Sequence, residues 1–222
     1  MPYPSAKAWA RGRKMKRKHT AWYDKKHSAR GLAIKALKNI HHIKGMVNSE
    51  RHYVTQTATV NPSSTGSIVH LTSIGQDDTA TGRTGNSILL RGININLECS
   101  MSSSITNGET YFRIILFKDN QQIGDTSPGV TDVLASATTS SFLNQSQAGR
   151  FQILKNWYFT LDSIRGKSRI ISHFVNQHTH VRWNGANGTD IQKNGVYLLF
   201  LSDESTNTPT VTYNTKLGWH DN

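Results

Sequence analysis

All of the net positive charge of this 222-residue chain lies in its first 45 residues. This segment holds thirteen Lys and Arg and one acidic residue, Asp24, and so accounts for the whole formal charge of +12. The remaining residues carry equal numbers of basic and acidic side chains. A densely cationic segment cannot build a hydrophobic core, but its field attracts polyanions. The fold must therefore come from the rest of the chain, and the first segment indicates a nucleic-acid ligand.

We assign residues 1–47 to a basic arm with two parts. Residues 1–22 have no periodicity and little apolar content, so we expect them to be disordered in the free protein. From about residue 25 to 47, apolar residues recur every three or four positions, which predicts a basic amphipathic helix. The apolar stripe consists of Ala29, Ala33, Leu37, Ile40, Ile43 and Val47.

The basic side chains of the arm are the candidate nucleic-acid-binding residues. They are Lys7, Arg11, Arg13, Lys14, Lys16, Arg17, Lys18, Lys25, Lys26, Arg30, Lys35 and Lys38. The densest cluster, residues 11–18, also suits a nuclear import signal or a solvated tail, and the first two roles can share residues. Three aromatic residues flank the cluster and can stack on unpaired bases or pack against the body, namely Trp9, Trp22 and Tyr23.

From residue 48 onward the apolar period changes from helical to two. Ile93–Met101 alternates apolar and polar residues, which predicts a strand with one buried face. Two segments, 111–117 and 196–201, are apolar on both faces, as expected of strands covered by a second sheet or by a neighbouring subunit. The other predicted strands are 52–60, 67–74, 151–161, 169–175, 179–183 and 210–217, and one short helix is predicted between 130 and 144.

These elements predict a single all-β domain over residues 48–222. Ser, Thr, Asn and Gly are abundant from Ser63 onward, and strands do not alternate with helices. Eight or nine strands with long connections favour an eight-stranded antiparallel jelly roll of two sheets. An immunoglobulin sandwich and an open α/β sheet fit this pattern less well.

No motif for catalysis or metal binding is convincing. Cys99, the single cysteine, lies in the apolar register of its strand, so we expect a buried and unreactive thiol. The pair His178 and His180 lacks a nearby carboxylate, and the pair Asp77 and Asp78 suits a solvated turn better than a calcium site. We therefore predict no enzymatic activity, no metal and no cofactor.

The sequence also bears on the compartment in which the chain is made. It begins without the apolar run of a signal peptide, and no stretch is long enough to cross a bilayer. We expect a soluble chain that is made inside the cell and does not insert into a membrane.

Several segments, taken in order, resemble the capsid proteins of small circular single-stranded DNA viruses. They are Arg83-Thr-Gly-Asn-Ser-Ile-Leu-Leu-Arg-Gly92, Phe112-Arg-Ile-Ile-Leu-Phe-Lys-Asp-Asn-Gln121, Arg150-Phe-Gln-Ile-Leu154, Asn194-Gly-Val-Tyr-Leu-Leu-Phe-Leu-Ser-Asp203 and Trp219-His-Asp-Asn222. The jelly roll of these circovirus-like capsids is similar to that of satellite tobacco necrosis virus. The resemblance implies an eight-stranded jelly roll, an icosahedral T=1 shell of about sixty copies, and a basic arm that faces the genome. The mixed Lys and Arg arm with its helix is closer to the satellite-virus style than to the arginine-dense arms of circoviruses.

The first hypothesis for function is therefore a viral capsid protein. It would self-assemble, package a single-stranded DNA genome through its arm, reside in the virion, enter the host nucleus during assembly and engage host import factors and a receptor. The alternative is a cellular β-barrel protein that binds single-stranded nucleic acid, but such proteins concentrate basic and aromatic residues on the sheet, whereas the basic residues of this body are scattered along the sequence. A secreted lectin-like or cytokine-like jelly roll is a third class, and it is disfavoured because paired cysteines are missing.

Overall fold

The structure is a computed structural model that describes residues 29–46, 51–105 and 108–221. The chain divides into two units, residues 1–48 and 49–222. The described residues of the first unit form one helix, α1 (Ala29–Met46), inside the range for which the sequence predicts a helix. The predicted disorder of residues 1–22 lies outside the described residues.

The second unit is built from nine described strands in two antiparallel sheets. The strands are β1 (Arg51–Val60), β2 (Ser67–His70), β3 (Ser87–Ser100), β4 (Glu109–Asp119), β5 (Phe151–Asp162), β6 (Ser168–Trp183), β7 (Ile191–Lys193), β8 (Gly195–Ser202) and β9 (Thr210–Asp221). A single helical turn, α2 (Val130–Val133), and a 3-10 turn, Gln145–Gln147, lie between β4 and β5.

The order of the strands is that of a jelly roll. One sheet has the order β1-β9-β3-β6-β7 and the other has the order β2-β8-β4-β5. Apart from the three-residue strand β7, the pairs β1–β9, β2–β8, β3–β6 and β4–β5 are those of one long antiparallel ribbon folded into two sheets. The predicted all-β, two-sheet jelly roll of eight strands is confirmed, with β7 as an addition beside β6.

The main core lies between the two sheets and follows the predicted alternation in β3. Ile95, Leu97 and Cys99 are fully buried, whereas Asn94 and Asn96 are exposed on the opposite side of the strand. Because side chains in a strand point alternately to its two faces, this pattern fixes the register of β3. The register predicted from the sequence is confirmed.

The strands that are apolar on both faces, β4 and β8, have one face in the main core and the other under a segment of the same chain. Ile115 and Leu199 belong to a second apolar cluster with Val133 and Leu134, which lie in and just after α2. Of the two explanations that the sequence left open for this face, a neighbouring subunit is thus not needed for these residues. The short helix predicted in this connection is the single turn α2.

Two of the predicted strands differ in length from those in the structure. The segments 169–175 and 179–183 form one strand, β6, because the polar residues between them continue the alternation. Strand β2 ends at His70 rather than at residue 74, because the Thr72 hydroxyl, instead of a ladder partner, accepts the hydrogen bond from the Val196 amide at 3.0 Å. Leu71 and Ile74 are nevertheless buried, which explains their apolar character.

Candidate nucleic-acid interface

The structure describes only part of the candidate binding arm. Lys7, Arg11, Arg13, Lys14, Lys16, Arg17, Lys18, Lys25 and Lys26 lie outside the described residues. Arg30 lies in the first turn of α1, while Lys35 and Lys38 are exposed on the helix, three positions apart. These two side chains lie on adjacent turns and can contact neighbouring phosphates.

The faces of α1 are less clearly divided than the sequence stripe suggests. Leu37 and Ile40 of the predicted stripe are exposed, and so are Leu32 and Ile34. Ile34 lies four positions before Lys38, so it shares a row of the helix surface with that cation. The helix therefore presents apolar side chains both on its predicted stripe and beside its basic residues.

The basic residues of the second unit are scattered along the sequence, but several of them meet on one face of the five-stranded sheet. Tyr53 on β1 pairs with Gly218 on β9, which in turn pairs with Gly92 on β3. Strand pairing thus brings together side chains that are more than a hundred residues apart in the chain. No signal in the sequence groups them, since only the register of three strands joins them.

These residues line a groove with a volume of about 240 Å³. It is lined by Arg51, Tyr53, Arg91, Gly92, Asn94, Phe174, Asn176, His178, Lys216 and Gly218, and we call it the sheet groove. The pairing of β3 with both of its neighbours shifts between Leu90 and Gly92, so Arg91 lies at a β-bulge. Within the described residues, no Asp or Glu lines the groove.

The first segment of the viral resemblance contains a buried clamp, Arg83. Its guanidinium donates to the carbonyls of Ile74, Gly85 and Gly185 and stacks over the ring of Trp183 at 4.5 Å. Burial lowers the pKa of Arg83 from its ordinary value, although the carboxylates of Asp190 and Asp221 act in the opposite direction. This arginine joins the β2–β3 connection to the β6–β7 connection, which is a structural role.

The segment that covers the four-stranded sheet is held by a second buried arginine. Arg113 on β4 donates to the carbonyls of Thr139 and Ser141, and its guanidinium lies 4.7 Å from the centre of the Tyr158 ring. Beyond these contacts, Phe142 is 84% exposed. The covering segment therefore turns the large apolar side chain of Phe142 toward solvent.

The candidate metal ligands and nucleophile have ordinary structural surroundings. An Asp77 carboxylate oxygen accepts hydrogen bonds from the amide and the hydroxyl of Thr79, which closes a local turn. His178 and His180 are exposed on β6. Cys99 is fully buried, and burial raises the pKa of its thiol to about 12, so the thiolate that could attack is disfavoured.

The described part of the chain contains neither a metal-binding cluster nor a membrane-spanning helix. No group of three or more His, Cys, Asp or Glu side chains among the described residues could hold a metal ion. None of the helices in the described ranges is long and apolar enough to cross a membrane.

Comparison with known proteins gives one family and several structures. The sequence profile of the satellite tobacco necrosis virus coat protein family matches residues 20–219. None of the curated proteins that were compared matches the chain. Among solved structures, the chain is similar to desmodium yellow mottle tymovirus, with 8% identity, a TM-score of 0.38, and coverage of 79% of this chain and 90% of that one.

Two further structures have similar scores. Broad bean stain virus has 11% identity and a TM-score of 0.37, with coverage of 73% of this chain and 84% of that one. The BFDV capsid protein, solved as a 60-mer, has 12% identity and a TM-score of 0.30, with coverage of 78% of this chain and 90% of that one.

Proposed function

Because the chain belongs to the satellite tobacco necrosis virus coat protein family, we propose that its jelly roll assembles into a small icosahedral shell and that its basic arm packages a single-stranded genome. The protein is a viral coat protein, a structural component of the virion. More specifically, the proposed shell contains about sixty copies in a T=1 arrangement. It follows from the resemblance to circovirus-like capsids.

One observation carries the role of the arm: the whole net charge of +12 lies in residues 1–45, outside the sheets. A shell domain must bring many copies of itself together, and net charge would oppose that association. A packaging segment has the opposite requirement, since each cation that meets a phosphate releases a counterion. Sixty arms would neutralise about 720 phosphates.

The genome in this proposal is single-stranded DNA, which the resemblance to circovirus-like capsids supports. The basic side chains of the arm contact phosphates, and phosphates are common to DNA and RNA. The nucleic acid extracted from nuclease-treated particles therefore decides this point. Digestion by DNase but not by RNase is the expected result, and the reverse would replace DNA with RNA while leaving the packaging role intact.

The test of the proposal compares the full chain with a variant that lacks residues 1–45. The full chain should form closed shells of uniform size, as seen by electron microscopy. The ratio of their ultraviolet absorbance at the nucleic-acid maximum to that at the protein maximum should show enclosed nucleic acid. The deletion variant should fold and retain subunit contacts but enclose little nucleic acid, and it should assemble less efficiently because no polyanion gathers the subunits. If the full chain remains monomeric both with and without single-stranded DNA, the shell proposal is wrong.

Salt dependence separates this proposal from the cellular β-barrel alternative. If all twelve net charges of the arm engage a single strand, the logarithm of the affinity should fall against the logarithm of salt concentration with a slope of about −8. Fewer contacts would make the slope shallower. If the deletion variant bound single strands as tightly as the full chain and with the same salt slope, recognition would reside on the sheets. The cellular β-barrel alternative would then replace the proposal that the arm packages the genome.

The second proposed role of the arm is nuclear import during assembly. The cluster at residues 11–18 combines six cations with little else, as import signals do. A fluorescent reporter fused to residues 1–45 should accumulate in the host nucleus. Replacing the six cations of this cluster with Gln should abolish accumulation, whereas replacing Lys35 and Lys38 should not. Equal distribution of the wild-type fusion between nucleus and cytoplasm would contradict this role.

We further propose that α1 packs against protein within the shell. Leu37 and Ile40 are exposed in the structure, and a helix that is marginal in isolation gains stability by covering such side chains. Replacing Leu37, Ile40 and Ile43 with Ser should leave the circular dichroism of the free arm peptide unchanged but reduce the yield of filled particles. The matched control replaces Ala33 and Ala36 with Ser, which removes little apolar area. Normal filling of the Leu37, Ile40 and Ile43 variant would contradict the packing role.

A further inference from the structure

The sheet groove combines cations with the exposed rings of Tyr53 and Phe174 on the outer face of the five-stranded sheet. We propose that it binds an unpaired nucleotide of the packaged strand, with the base stacked on Phe174 and the flanking phosphates at Arg51, Arg91 and Lys216. The inference rests on the proposed function, because it requires that the chain encounters single-stranded nucleic acid. It adds a second binding site, in the second unit of the chain, to the phosphate contacts of the arm.

Among the described residues, no carboxylate pairs with the cations of the groove. Arg51 lies 5.0 Å from the centre of the Tyr53 ring, and the Lys216 ammonium lies 4.6 Å from the same centre. Within the described chain, neither of these cations nor Arg91 forms an ion pair with a carboxylate. Their charge is therefore available to an anion, and the shared ring of Tyr53 holds two of them side by side.

The β-bulge accounts for the position of the third cation. Arg91 precedes Gly92 at the point where the pairing of β3 shifts against both β6 and β9. A bulge bends its strand and re-aims a side chain, and here it places Arg91 in the groove opposite the Tyr53 side. Three strands of the same sheet, β1, β9 and β3, thus each contribute one cation to the groove.

Phe174 supplies the stacking surface. Its side chain is 58% exposed, and its neighbours on the same face of β6, Ser172 and Asn176, are polar. One side of the ring packs over Gly92, where an added Cβ would lie 2.8 Å from the ring. The glycine lets the ring lie close to the backbone and leaves its remaining surface open to solvent. An exposed ring stacks on any base, because every base has a π face.

The polar residues of the groove suit the edge of a base. Asn94 pairs with Phe174 across β3 and β6, and Asn176 pairs with Gly92. Both amides line the groove, and an amide can donate and accept hydrogen bonds at once. Cations for phosphate, a ring for stacking and amides for base edges together match a nucleotide. An acidic surface of another subunit would use the cations but would leave the ring unexplained.

The decisive experiment is photo-crosslinking of the full chain to single-stranded oligonucleotides that carry 5-iodouracil, followed by tryptic digestion and mass spectrometry. Trypsin cleavage after Lys and Arg places each relevant aromatic residue alone in one peptide: Phe174 in 170–182, Tyr53 in 52–83 and Phe142 in 119–150. Phe142 is the internal control, because it is more exposed than Phe174 and lies outside the groove. Crosslinks to 170–182 without crosslinks to 119–150 are expected.

Variants of the full chain provide a second measurement. F174L keeps an apolar side chain but removes the ring, and it should lower the affinity for single strands by about 5-fold or more. Replacing Arg51, Arg91 and Lys216 with Gln should make the salt slope shallower by about 2, since each phosphate contact on a single strand contributes about 0.7. The matched control replaces three exposed cations outside the groove, Lys155, Arg165 and Lys167, with Gln and should leave the slope unchanged.

The outcomes distinguish this inference from the proposed function. If wild-type crosslinks map only to the aromatic residues of the arm, in peptides 1–7, 8–11 and 19–25, the arm binds the strand and the groove inference is wrong. Thermal unfolding first shows that the groove variant and its control are both folded. If their affinities then depend on salt with equal slopes, the inference is overturned in the same way. If the full chain binds no single strands at all, the proposed packaging role fails as well.

Discussion

The two sheets of the jelly roll use their outer faces in opposite ways. Both bury an apolar inner face in the main core, but the outer face of the five-stranded sheet is mostly polar, with exposed residues such as Asn94 and Asn96. The outer face of the four-stranded sheet is apolar, and Phe117 and Leu199 on it are fully buried under the chain segment that follows α2. The long β4–β5 connection thus has a structural purpose: it closes the outer face of the four-stranded sheet.

This difference also determines where the molecule tolerates change. An apolar sheet face left open would promote aggregation, so the covering segment must remain closed in the folded subunit. The open face has no such requirement, because its side chains are solvated. Substitutions on the covered face should therefore act on folding, and those on the open face should act mainly on binding.

The largest effect should come from placing a carboxylate on the covered face. L199D buries an unpaired charge in the second apolar cluster and should abolish soluble protein, as should L97D in the main core. N96D makes a similar change on the open face and should give normal yield. The measurement is the amount of soluble protein after expression, and a normal yield of L199D would show that the covering segment does not exclude water.

The second effect concerns Arg113, which holds the covering segment. R113M removes the donors for the carbonyls of Thr139 and Ser141, and the loss of these bonds to a charged group should cost about 4 kcal/mol of unfolding free energy. Urea denaturation measures the loss. In addition, hydrogen exchange should quicken at the amides of Ala135 and Asn144, which bond to Phe142 and Val133 across the base of the segment. Unchanged exchange at these amides would show that other contacts close the face.

The periodicity of apolar residues determines how well a buried sheet face can be predicted from the sequence. The inner face of β3 is predictable from Ile93 onward, because every second residue is apolar. The strand begins earlier, at Ser87, yet its buried residues before the bulge are Ile88 and Leu90. The bulge shifts the buried positions from even-numbered to odd-numbered residues, so the alternation is not continuous along the strand. The sequence pattern therefore does not show that the two parts belong to one strand.

Long-range pairing sets the second limit on prediction. The charge of the arm is visible in the sequence because its cations are neighbours in the chain. The sheet groove is not visible, since Arg51, Arg91 and Lys216 meet only through the register of β1, β9 and β3. The covering of β8 is hidden for the same reason: an apolar strand does not reveal which segment lies over it.

The third effect is a pH dependence that arises at the edge of the covered face. His70 on β2 stacks on Tyr197 at 4.6 Å, and burial lowers its pKa from 6.5 to about 4. Between these values the unfolded chain binds a proton that the folded chain does not, so the unfolding free energy falls as the pH drops from about 6.5 to 4. The full difference amounts to about 3 kcal/mol.

The matching variant is H70Q, which keeps a hydrogen-bonding side chain beside the Thr72 hydroxyl. Its unfolding free energy should fall less than that of the wild type between pH 7 and pH 4, by about 2–3 kcal/mol. Urea denaturation at both values checks this, and the comparison of the two proteins cancels the contributions of the carboxylates. An identical loss in both proteins would show that His70 is protonated in the folded state.

The smallest effect should come from an added methyl group on the open face. In G92A the new Cβ would lie 2.8 Å from the ring of Phe174, but that ring is largely exposed and can turn toward solvent, so the cost should stay below about 1 kcal/mol. G188A is the control, because its Cβ would lie 2.7 Å from the backbone carbon of Ser73, which cannot move aside in the same way. Thermal unfolding should therefore show a clearly larger loss for G188A. A large loss for G92A would mean that Phe174 is held in place by the sheet itself, and the open face would then be as rigid as the covered one.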